Sequence, residues 1–568
     1  MGRIIKSIII GLLFTAFFGT AARSQTINAA SCNSSDVQSA INTATEGETV
    51  AIPAGTCNWT SGVSIKGKGI TLQGAGAGRV IAVDVESSAI SLATGSKTFS
   101  NVTNDQGATA YLTAASPGIS TGQTLRIVEN GFLGNYLQGT VSSFSGSTLV
   151  MNVTSAGGSC GAAANNAMNS NCKRWLVTTL PSTVLEDNVA SGQMVGITED
   201  SSFHTTIAGI KFAQGSGGGG AGSAIYLARN NSGGQAVLIH DNYFESNNSD
   251  IIDGNTNRGV IWNNSFVFSP FSAGQWAAIR IKDANGLAMP YSWTTTSLMG
   301  VLDTTGQGNL YFETNDVHAD GDFTDNDDEG RMVVRYNVLD NAGGATHGAD
   351  TSDFGMRYME YYNNVGLFEP YGDGSTANMN WWMFVRGGTL VAFNNVLAPL
   401  TSEDWGSKAD FNLTVMNLQR NSGPNPCWGA GSTSGGYYHA PRQVGMGYVT
   451  GAGASNYPAA SCSNCTKDGY TYVGDSEPVY FWNNTRTKGG AVTPLNVGVA
   501  DYGTGNSNSC TGTVDSSSHY IVSNRDFFNG GSSPAKPNYS PFTYPHPLAS
   551  GQQTSNLTPP TNVKAVGH

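Results

Sequence analysis

The chain has 568 residues and a formal net charge of −12, and only 12% of its residues are charged. This balance argues against a nucleic-acid or membrane-surface partner, because both attract basic proteins. It also weakens the case for a polyanionic substrate. The 73 glycines and the 10% of aromatic residues, with frequent turn residues between β-branched runs, predict an all-β protein.

Residues 1–24 have the composition of a secretory signal peptide. Arg3 and Lys6 precede the apolar run "SIIIGLLFTAFFG", and "AARSQ" supplies a small-residue cleavage site after Ser24. No later apolar run approaches the ~18 residues that a transmembrane helix needs. We therefore expect a soluble protein, secreted or periplasmic, that does not insert into a membrane.

Cysteine usage agrees with export. The eight cysteines are Cys32, Cys57, Cys160, Cys172, Cys427, Cys462, Cys465 and Cys510. In an exported protein an even number of cysteines indicates disulfides, and proximity in the sequence favours Cys32–Cys57 and Cys160–Cys172. The other four are left unpaired by this reasoning. Cys462 and Cys465 could form half of a metal site, but no second pair supports one.

Residues 95–182 have a different sequence pattern from the rest of the chain. The segment "GQTLRIVENGFLGNYLQGTVSSFSGSTLVMNVTSAGGSC" alternates strand-like runs with Gly-Ser turns. It predicts a small inserted β-module, tied by Cys160–Cys172. The segment resembles the small β-modules of phage tail and surface-adhesin proteins.

Beyond the module, a strand that ends in asparagine recurs along the chain. It appears as "VLIHDNYF", "GVIWNNSF", "LYFETNDV", "MVVRYNVL", "MEYYNNVG", "LVAFNNVL" and "VYFWNNTR". The marker residues are Asn242, Asn264, Asn315, Asn337, Asn364, Asn395 and Asn484. The shortest steps between markers are 22 residues, and such a period predicts a solenoid whose coils stack on their neighbours.

Strand alternation assigns two columns to opposite sides of the sheet. Three residues before each marker lies a mostly apolar column, expected to face inward: Ile239, Ile261, Phe312, Val334, Tyr361, Ala392 and Phe481. Two residues before each marker lies a column expected to face outward: His240, Trp262, Glu313, Arg335, Tyr362, Phe393 and Trp482. The markers themselves predict a ladder of stacked amides that pairs the buried turns.

The start of the chain carries a family resemblance. "DVQSAINTATEGETVAIPAGT" followed by "GITLQGAG", together with the asparagine coils, resembles secreted right-handed parallel β-helix proteins of the pectate-lyase-like superfamily. The resemblance covers the cap and roughly residues 195–490. It implies an all-β right-handed parallel β-helix, capped by an amphipathic helix with Val37, Ala40, Ile41 and Ala44 on its apolar side. This superfamily includes lyases, hydrolases, epimerases, adhesins and tailspikes, so the resemblance does not select an activity.

The predicted division of the chain follows. Residues 1–24 are the signal peptide, 25–94 the cap and first coils, and 95–182 the inserted β-module. Residues 183–545 form the parallel β-helix with its long loops, and 546–568 form a Pro-rich tail.

The outward column is a candidate surface for a polysaccharide. Trp262, Tyr362 and Trp482 can stack on sugar rings, and exposed aromatic residues in a row indicate a binding surface. Glu313 and Arg335 would be neighbours one coil apart, as a catalytic acid and a substrate-binding group. The alternative is a surface ion pair worth less than ~1 kcal/mol.

An acidic stretch between the markers Asn315 and Asn337 is the first candidate for catalysis. We expect it to be a loop overhanging the outward column. Glycoside hydrolysis needs a protonated and an ionised carboxyl group, and crowded carboxylates raise one another's pKa. The candidates for this pair are Asp322, Asp325, Asp327 and Asp328.

Calcium binding is the alternative role for this stretch, with Asp325, Asp327 and Glu329 as ligands. An EF-hand frame fails because its twelfth position is Tyr336 instead of Glu, although another type of calcium loop stays open. A solvated acidic turn stays open as well. A hydrolase would need no cofactor, whereas the calcium alternative would need Ca²⁺.

The next loop, "THGADTSDFGMRYMEYYNN", adds further candidates. His347 is a candidate catalytic residue, and Asp350, Arg357 and Glu360 are candidate substrate-binding residues; the alternative for His347 is a turn residue that caps backbone groups. Elsewhere, Asp250, Asp253 and the Arg280–Lys282 "RIK" resemble polygalacturonase motifs. In that family Arg-Ile-Lys comes last, whereas here it precedes His347-Gly348, so we carry no roles across.

Three functions therefore stay open. The first is a polysaccharide hydrolase that uses paired carboxylates. The second is a Ca²⁺-dependent lyase, in which Arg335, Arg357 or Lys282 assists β-elimination. The third is a non-catalytic glycan-binding adhesin. The partner in each case is a polysaccharide; the sequence does not indicate an oligomeric state.

Overall fold

A computed structural model describes residues 25–550 with gaps. Residues 77–78, 86–87, 101, 103–117, 131, 162–169, 215–220, 230–233, 247–250, 256–257, 269–278, 282–297, 327–329, 347–355, 369–380, 386, 400–411, 419–443, 450–473, 489–490, 496, 503–522, 525 and 531–534 are not described. The predicted signal peptide (residues 1–24), four of the cysteines (Cys427, Cys462, Cys465 and Cys510) and residues 551–568 therefore lie outside the described part of the chain.

Three stacks of parallel strands wind along one axis. Face A is a sheet of twelve strands in the order β1 (Thr26–Asn28), β2 (Thr49–Ala51), β5 (Thr71–Gln73), β14 (Thr206–Ala208), β17 (Val237–His240), β20 (Gly259–Trp262), β23 (Leu310–Glu313), β25 (Arg331–Arg335), β27 (Tyr358–Tyr362), β30 (Thr389–Phe393), β35 (Val479–Trp482) and β39 (Phe527–Gly530). Successive strands pair in parallel, for example Phe312 with Val334 and Val334 with Tyr361. This pairing makes the molecule the predicted parallel β-helix.

Two further faces complete each coil. Face B stacks β3 (Gly55–Trp59), β12 (Thr183–Asp187), β15 (Ile210–Gln214), β18 (Tyr243–Ser246), β21 (Ser265–Phe268), β24 (Asp316–Asn326), β26 (Val338–Thr346), β28 (Val365–Phe368), β31 (Val396–Pro399) and β36 (Thr485–Lys488). Face C stacks β4 (Val63–Ile65), β13 (Gly192–Glu199), β16 (Ala221–Arg229), β19 (Ile252–Asn255), β22 (Ile279–Ile281), the second halves of β24 and β26, β29 (Trp381–Val385), β32 (Asn412–Leu418) and β38 (Val497–Tyr502). Strands β24 and β26 thus bend from face B to face C, with register shifts between them at the corner.

Three short strands lie beside these faces. Strand β37 (Ala491–Pro494) pairs with β36 in antiparallel fashion. Strands β33 (Met446–Val449) and β34 (Gly474–Ser476) form a small antiparallel pair.

The interior is filled by the predicted inward column. Its seven residues are at most 2% exposed and belong to the main hydrophobic cluster. On face B a second inward row stacks Phe212, Phe244 and Phe266, with ring centroids 5.1 and 4.7 Å apart. Alternation along the strands therefore predicted the core side of face A correctly.

The predicted asparagine ladder is present at the turn that follows face A. Asn337 shows the pattern: its side-chain amide donates to the Phe312 carbonyl at 3.0 Å, and its side-chain oxygen accepts from the Asn315 backbone N–H at 2.8 Å. The same bonds repeat between all seven markers. The ladder thus supplies hydrogen-bond partners to backbone N–H and C=O groups that would otherwise be unpaired in the buried turns. The residue before each marker has a positive φ, as at Asn363 (55°), so each turn has the same left-handed residue.

The first coil is covered by helix α1 (Ser34–Thr43), which packs against β1, β2 and β4. Val37, Ala40 and Ile41 are its buried residues, and these are three of the four predicted for its apolar side. Ala44 follows the helix and is 2% exposed. The predicted disulfide Cys32–Cys57 ties the start of the helix to β3 and is confirmed.

A separate antiparallel sheet lies between β5 and β12 in the chain. Its strand order is β6 (Arg79–Val85), β11 (Arg174–Thr179), β8 (Thr124–Glu129), β9 (Phe132–Ser145), β10 (Thr148–Gly157) and β7 (Gly95–Phe99). The sheet has its own core around Trp175, and the predicted disulfide Cys160–Cys172 is confirmed. It begins at Arg79, ahead of the boundary at residue 95 that the sequence suggested.

Charged residues join this sheet to face B. Glu245 on β18 lies 2.6 Å from Arg126 of β8 and 2.9 Å from Lys211 of β15. Burial works to raise the pKa of Glu245, but the two cations outweigh it and hold the pKa at about 2. Burial lowers the pKa of Lys211 to about 8, although Glu245 acts in the opposite direction. Asn130 makes a second link, donating to Asp340 of β26 at 3.0 Å.

The outer side of face A is covered by residues 535–550, here called the strap. The strap contacts the face from β30 and β35, where Tyr539 packs edge-on against Phe393 and Trp482, to β20, against which the short helix Pro547–Ser550 packs. Parallel strands are ~4.8 Å apart, so five strand steps place it along ~24 Å of the helix axis. His546 and Ala549, at the start of the predicted tail, are buried and belong to the strap; residues 551–568 of that tail lie outside the described residues.

No helix in the described part of the chain combines the length and apolar character needed to cross a membrane.

Candidate functional site

The predicted glycan surface on face A is not open. The column points away from the core, as expected, but Trp262, Tyr362 and Trp482 are 0%, 1% and 8% exposed and belong to a second hydrophobic cluster with strap residues. Tyr362, Phe393 and Trp482 stack on one another with centroids 4.6 and 4.4 Å apart. The expectation that this column is exposed is wrong, because the strap covers it. The predicted binding of a polysaccharide by these aromatic residues stays a prediction.

Glu313 and Arg335 form a buried ion pair beneath the strap. The Arg335 Nη2 atom lies 2.6 Å from Glu313 Oε2, and both side chains are fully buried. Arg335 also donates to the strap carbonyls of Phe542 and Thr543 at 2.7 and 3.0 Å. The expected exposure of both residues is therefore wrong, because these contacts hold the strap. Their predicted roles, a catalytic acid and a substrate-binding group, stay predictions.

Arg357 and Glu360, which were also predicted to bind substrate, are buried as well. The Arg357 guanidinium lies 2.8 Å from Glu477 and is 1% exposed. Glu360 accepts from Tyr539 at 2.5 Å and from the Gly300 backbone N–H at 2.9 Å. Burial raises the pKa of Glu360. Glu360 thus holds the strap through Tyr539, whereas Arg357 is paired with Glu477. Both side chains are buried, and their predicted substrate contacts stay predictions.

The acidic stretch is not the overhanging loop that the sequence predicted. Residues Asp316–Asn326 form β24, which pairs with β21, β22 and β26. Val317, Ala319 and Phe323 point into the core, so the acidic residues alternate with apolar ones on a strand. The structure does not describe the side chains of Asp320 and Asp322. The remaining candidates lie outside the described residues: Asp327, Asp328, Glu329, His347 and Asp350. Their predicted roles stay predictions.

The first half of β24 carries a buried histidine between two carboxylates. His318 Nδ1 lies 3.0 Å from Asp340 and Nε2 lies 2.9 Å from Asp316. Burial works to lower the pKa of His318, but the two carboxylates raise it well above the usual value. The same Asp340 carboxylate accepts from Asn130 of the antiparallel sheet. This cluster is sealed under that sheet and holds it in place.

The second half of β24 lies on face C and meets a row of polar residues. The register pairs Tyr226 with Asp253, Asp253 with Arg280, and Arg280 with Asp325, each one coil further along. Their strand neighbours Ile225, Ile252 and Ile279 are fully buried in the core. The four polar residues therefore occupy the outer side of face C. We call them the face C row.

Three of the four residues of the face C row are partly exposed, in contrast to the outward column of face A, and the fourth, Asp325, is buried. Tyr226, Asp253 and Arg280 are half-buried, and the Arg280 side chain is 26% exposed. Asp325 is 1% exposed, with its Oδ2 atom 3.8 Å from Arg280 Nε. Burial raises the pKa of Tyr226, and the Asp253 carboxylate adds to that effect. The Tyr226 hydroxyl accepts a hydrogen bond from the Asn255 side chain at 3.2 Å.

The spacing within the row suits chemistry between two carboxyl groups. Asp253 and Asp325 lie two coils apart on either side of Arg280. Two strand spacings separate their backbones by ~9.6 Å. Inverting glycosidases hold their two carboxyl groups ~6.5 to 9.5 Å apart, which leaves room for a water molecule, and the backbone separation of Asp253 and Asp325 lies at the upper limit of that range. Within the described ranges, no three Asp, Glu, His or Cys residues are grouped so as to hold a metal ion.

Sequence reasoning noticed Asp253 and Arg280 but gave them no role, because the order of the motifs was unlike that of polygalacturonases. A usable signal was present. Tyr226, Asp253 and Arg280 follow one another at a constant interval of 27 residues, close to the coil length. A constant interval places residues in one column of a solenoid.

Comparisons with known proteins add only weak structural similarities. No protein family and no curated protein matches the chain. Among solved structures, an alginate lyase from Paenibacillus sp. str. FPU-7 aligns over 84% of this chain and 98% of its own at 11% identity, with a TM-score of 0.29. A structure titled only as a glycoside hydrolase aligns over 64% and 87% at 8% identity, with a TM-score of 0.23.

A tailspike of the Acinetobacter baumannii bacteriophage AP22, solved with a capsular saccharide, aligns over 84% of this chain and 66% of its own at 10% identity, with a TM-score of 0.18. At these scores the alignments make no case for a shared activity. The fold of this chain rests on its own strand pairing.

Proposed function

We propose that the protein is a polysaccharide hydrolase whose active site is the face C row. Asp253 and Asp325 are its carboxyl pair, and Arg280 lies between them. The observation that carries the proposal is the spacing: two carboxyl-bearing residues lie two coils apart on the outer side of face C, on either side of the partly exposed Arg280. A row that follows the axis of a solenoid is also suited to a long, linear substrate.

In this mechanism one carboxyl group protonates the glycosidic oxygen, and the other takes a proton from a water molecule that attacks the opposite side of the sugar. Arg280, whose Nε atom lies 3.8 Å from Asp325 Oδ2, favours the ionised form of the Asp325 carboxylate. Tyr226, one coil before Asp253, offers an aromatic ring on which a sugar can stack. The two disulfides support the expectation that the protein works in an oxidising, extracytoplasmic compartment.

The test is a pair of substitutions assayed on a panel of neutral and uronate-containing polysaccharides. Asp253→Asn and Asp325→Asn should each lower kcat by ~10²–10⁴-fold, which is the usual contribution of a general acid or base. Asp187→Asn, which changes a half-buried carboxylate on β12 of face B, is the matched control and should leave kcat unchanged. The proposal fails if either of the first two variants keeps more than a tenth of the activity.

Two further readouts sharpen the result. The anomeric configuration of the first product, followed by NMR, should be inverted. Azide should restore activity to the variant that lacks the base, with a glycosyl azide as product, but not to the variant that lacks the acid. Retention of configuration would contradict the role of the spacing.

A second candidate is β-elimination on a uronate polymer, and the exposure of Arg280 favours it. Sequence reasoning gave the neutralisation of the uronate carboxylate to Arg335 and Arg357, which are buried, or to Lys282, which lies outside the described residues. Arg280 could take that role, with Ca²⁺ at Asp325, Asp327 and Glu329 as the untested metal alternative. An unsaturated, ultraviolet-absorbing product lost on chelation would establish elimination. Binding of an intact glycan without cleavage would establish the adhesin alternative.

A further inference from the structure

A buried histidine, His546, contributes several contacts that hold the end of the strap. The His546 backbone N–H donates to Glu313 Oε1 at 2.9 Å, and the imidazole ring packs against Tyr311 with centroids 4.5 Å apart. The His546 carbonyl accepts from the Ala549 N–H at 2.8 Å, which starts the short helix Pro547–Ser550. This residue therefore joins the strap, the helix that ends it and the ion pair beneath it.

Both ring nitrogens of His546 have partners that require the neutral imidazole. Nε2 lies 2.8 Å from the carbonyl oxygen of Asp303, which can only accept, so Nε2 carries the proton. Nδ1 accepts the backbone N–H of Leu548 at 3.2 Å. A second proton would have to sit on Nδ1, opposite a donor. It would replace a hydrogen bond with two facing donors inside a buried contact.

We propose that His546 is an acid-operated latch: protonation of its ring frees the end of the strap and uncovers the outer side of β20 and β23. The aromatic face that the strap closes, with Trp262 and Tyr311 at this end, then becomes accessible to solvent. The proposal does not depend on the hydrolase activity proposed for face C.

The groups around the His546 ring also affect its pKa. Burial lowers the pKa of His546 to about 4, and the positive charges of Arg335 and His204 act in the same direction. The Asp303 carbonyl acts against them. The remaining titratable groups facing the ring are the side chains of Asp303, Glu313 and Tyr311. At the other end of the strap, burial raises the pKa of Glu360, so acid favours closure there.

The sign of the effect follows from the lowered pKa. The docked strap prefers neutral His546, whereas the released strap has an ordinary histidine with a pKa near ~6.5. The contribution of the latch is therefore complete above pH ~6.5 and is lost as the pH falls toward about 4. Over this window the opening constant of the strap end should rise on the order of a hundredfold.

The experiment is hydrogen exchange on the full chain between pH 7 and pH 4, expressed as protection factors so that intrinsic rates cancel. Protection of the Leu548 and Ala549 amides should fall on the order of a hundredfold, while that of β30 stays constant. His546→Asn keeps a side-chain oxygen that can accept the Leu548 N–H but does not titrate, so its protection should not change with pH. His204→Asn is the matched histidine control and should keep the fall.

Constant protection in the wild type, or an equal fall in His546→Asn, would overturn the latch. If His546→Asn fails to dock the strap at any pH, NMR titration of the wild-type imidazole decides. A pKa near the ordinary value of ~6.5 for that ring contradicts the proposal, and a value near 4 with simultaneous loss of strap signals supports it.

Discussion

Arg335 is the residue for which the sequence and the structure predict opposite outcomes. If Arg335 were an exposed substrate-binding group, its removal would weaken glycan binding and leave the free energy of unfolding unchanged. In the structure it is fully buried, bonded to Glu313, to the Tyr362 hydroxyl at 2.8 Å and to two strap carbonyls. The substitution Arg335→Met keeps most of the side-chain volume and removes every one of these bonds.

The expected loss of stability can be worked out from those contacts. Removing one partner of a buried ion pair costs ~3–5 kcal/mol, because the other charge stays buried without compensation. Each buried carbonyl left without a donor adds ~1–3 kcal/mol. Release of the strap would let water reach Glu313 and both carbonyls, so it limits the total. We expect the free energy of unfolding to fall by ~4–6 kcal/mol.

Equilibrium unfolding in urea measures this change. The double variant Glu313→Gln, Arg335→Met is the control, because it removes the buried charge as well as its partner. It should recover about half of the loss. A loss of less than ~1 kcal/mol in Arg335→Met, with weaker glycan binding, would refute the buried ion pair and restore the predicted exposed role.

Other predictions concern the ladder, the antiparallel sheet and the first disulfide. Asn337→Ala leaves buried backbone groups without partners and should lower the free energy of unfolding by ~3 kcal/mol; a change under ~1 kcal/mol in urea would contradict the ladder. The Glu245 carboxyl has a pKa of about 2 in the folded protein and of ~4.3 when unfolded. Its contribution to the free energy of unfolding is therefore complete above pH ~4.3 and is lost as the pH falls toward 2. Trp175 fluorescence should report this loss, and Glu245→Gln should abolish that pH dependence. Replacing Cys32 and Cys57 by serine opens a loop of 25 residues and should cost ~3.5 kcal/mol, measured by thermal unfolding; an unchanged Tm would contradict it.

Local patterns were sufficient for the repeating part of the fold. A side chain that alternates on a strand has only two sides to choose from, so Phe312 and Val334 could be assigned to the core from the sequence. The asparagine ladder followed because each coil repeats one turn. The two nearest cysteine pairs were also assigned correctly from proximity alone.

The solvent exposure of the outward column could not be predicted from local patterns in the same way. Alternation states which side of a sheet a residue such as Trp262 occupies, but not what lies on that side. The cover is supplied by residues more than 270 positions later in the chain, and no period or spacing connects the two. The signal that was available is in the strap itself, where Tyr539, Phe542 and Tyr544 are too apolar for a solvated segment.

The candidate site was missed for a related reason. Crowded charges drew attention to the acidic stretch, whereas the face C row is made of single residues from four different coils. Asp325 belongs to both, and the structure places it on the outer side of face C beside Arg280. The alternation of Val317, Ala319 and Phe323 with the acidic residues could have identified β24 as a strand.

The position of the strap in the chain bears on how the protein is made. Synthesis proceeds from the N-terminus, so every coil of face A exists before the segment that covers it. Until residue 550 is complete, the outer side of the nascent β-helix exposes the aromatic rings of Trp262, Tyr362, Phe393 and Trp482, the kind of surface that associates with other chains. A chain ending near residue 530 would keep its coils and its ladder, and we expect it to aggregate.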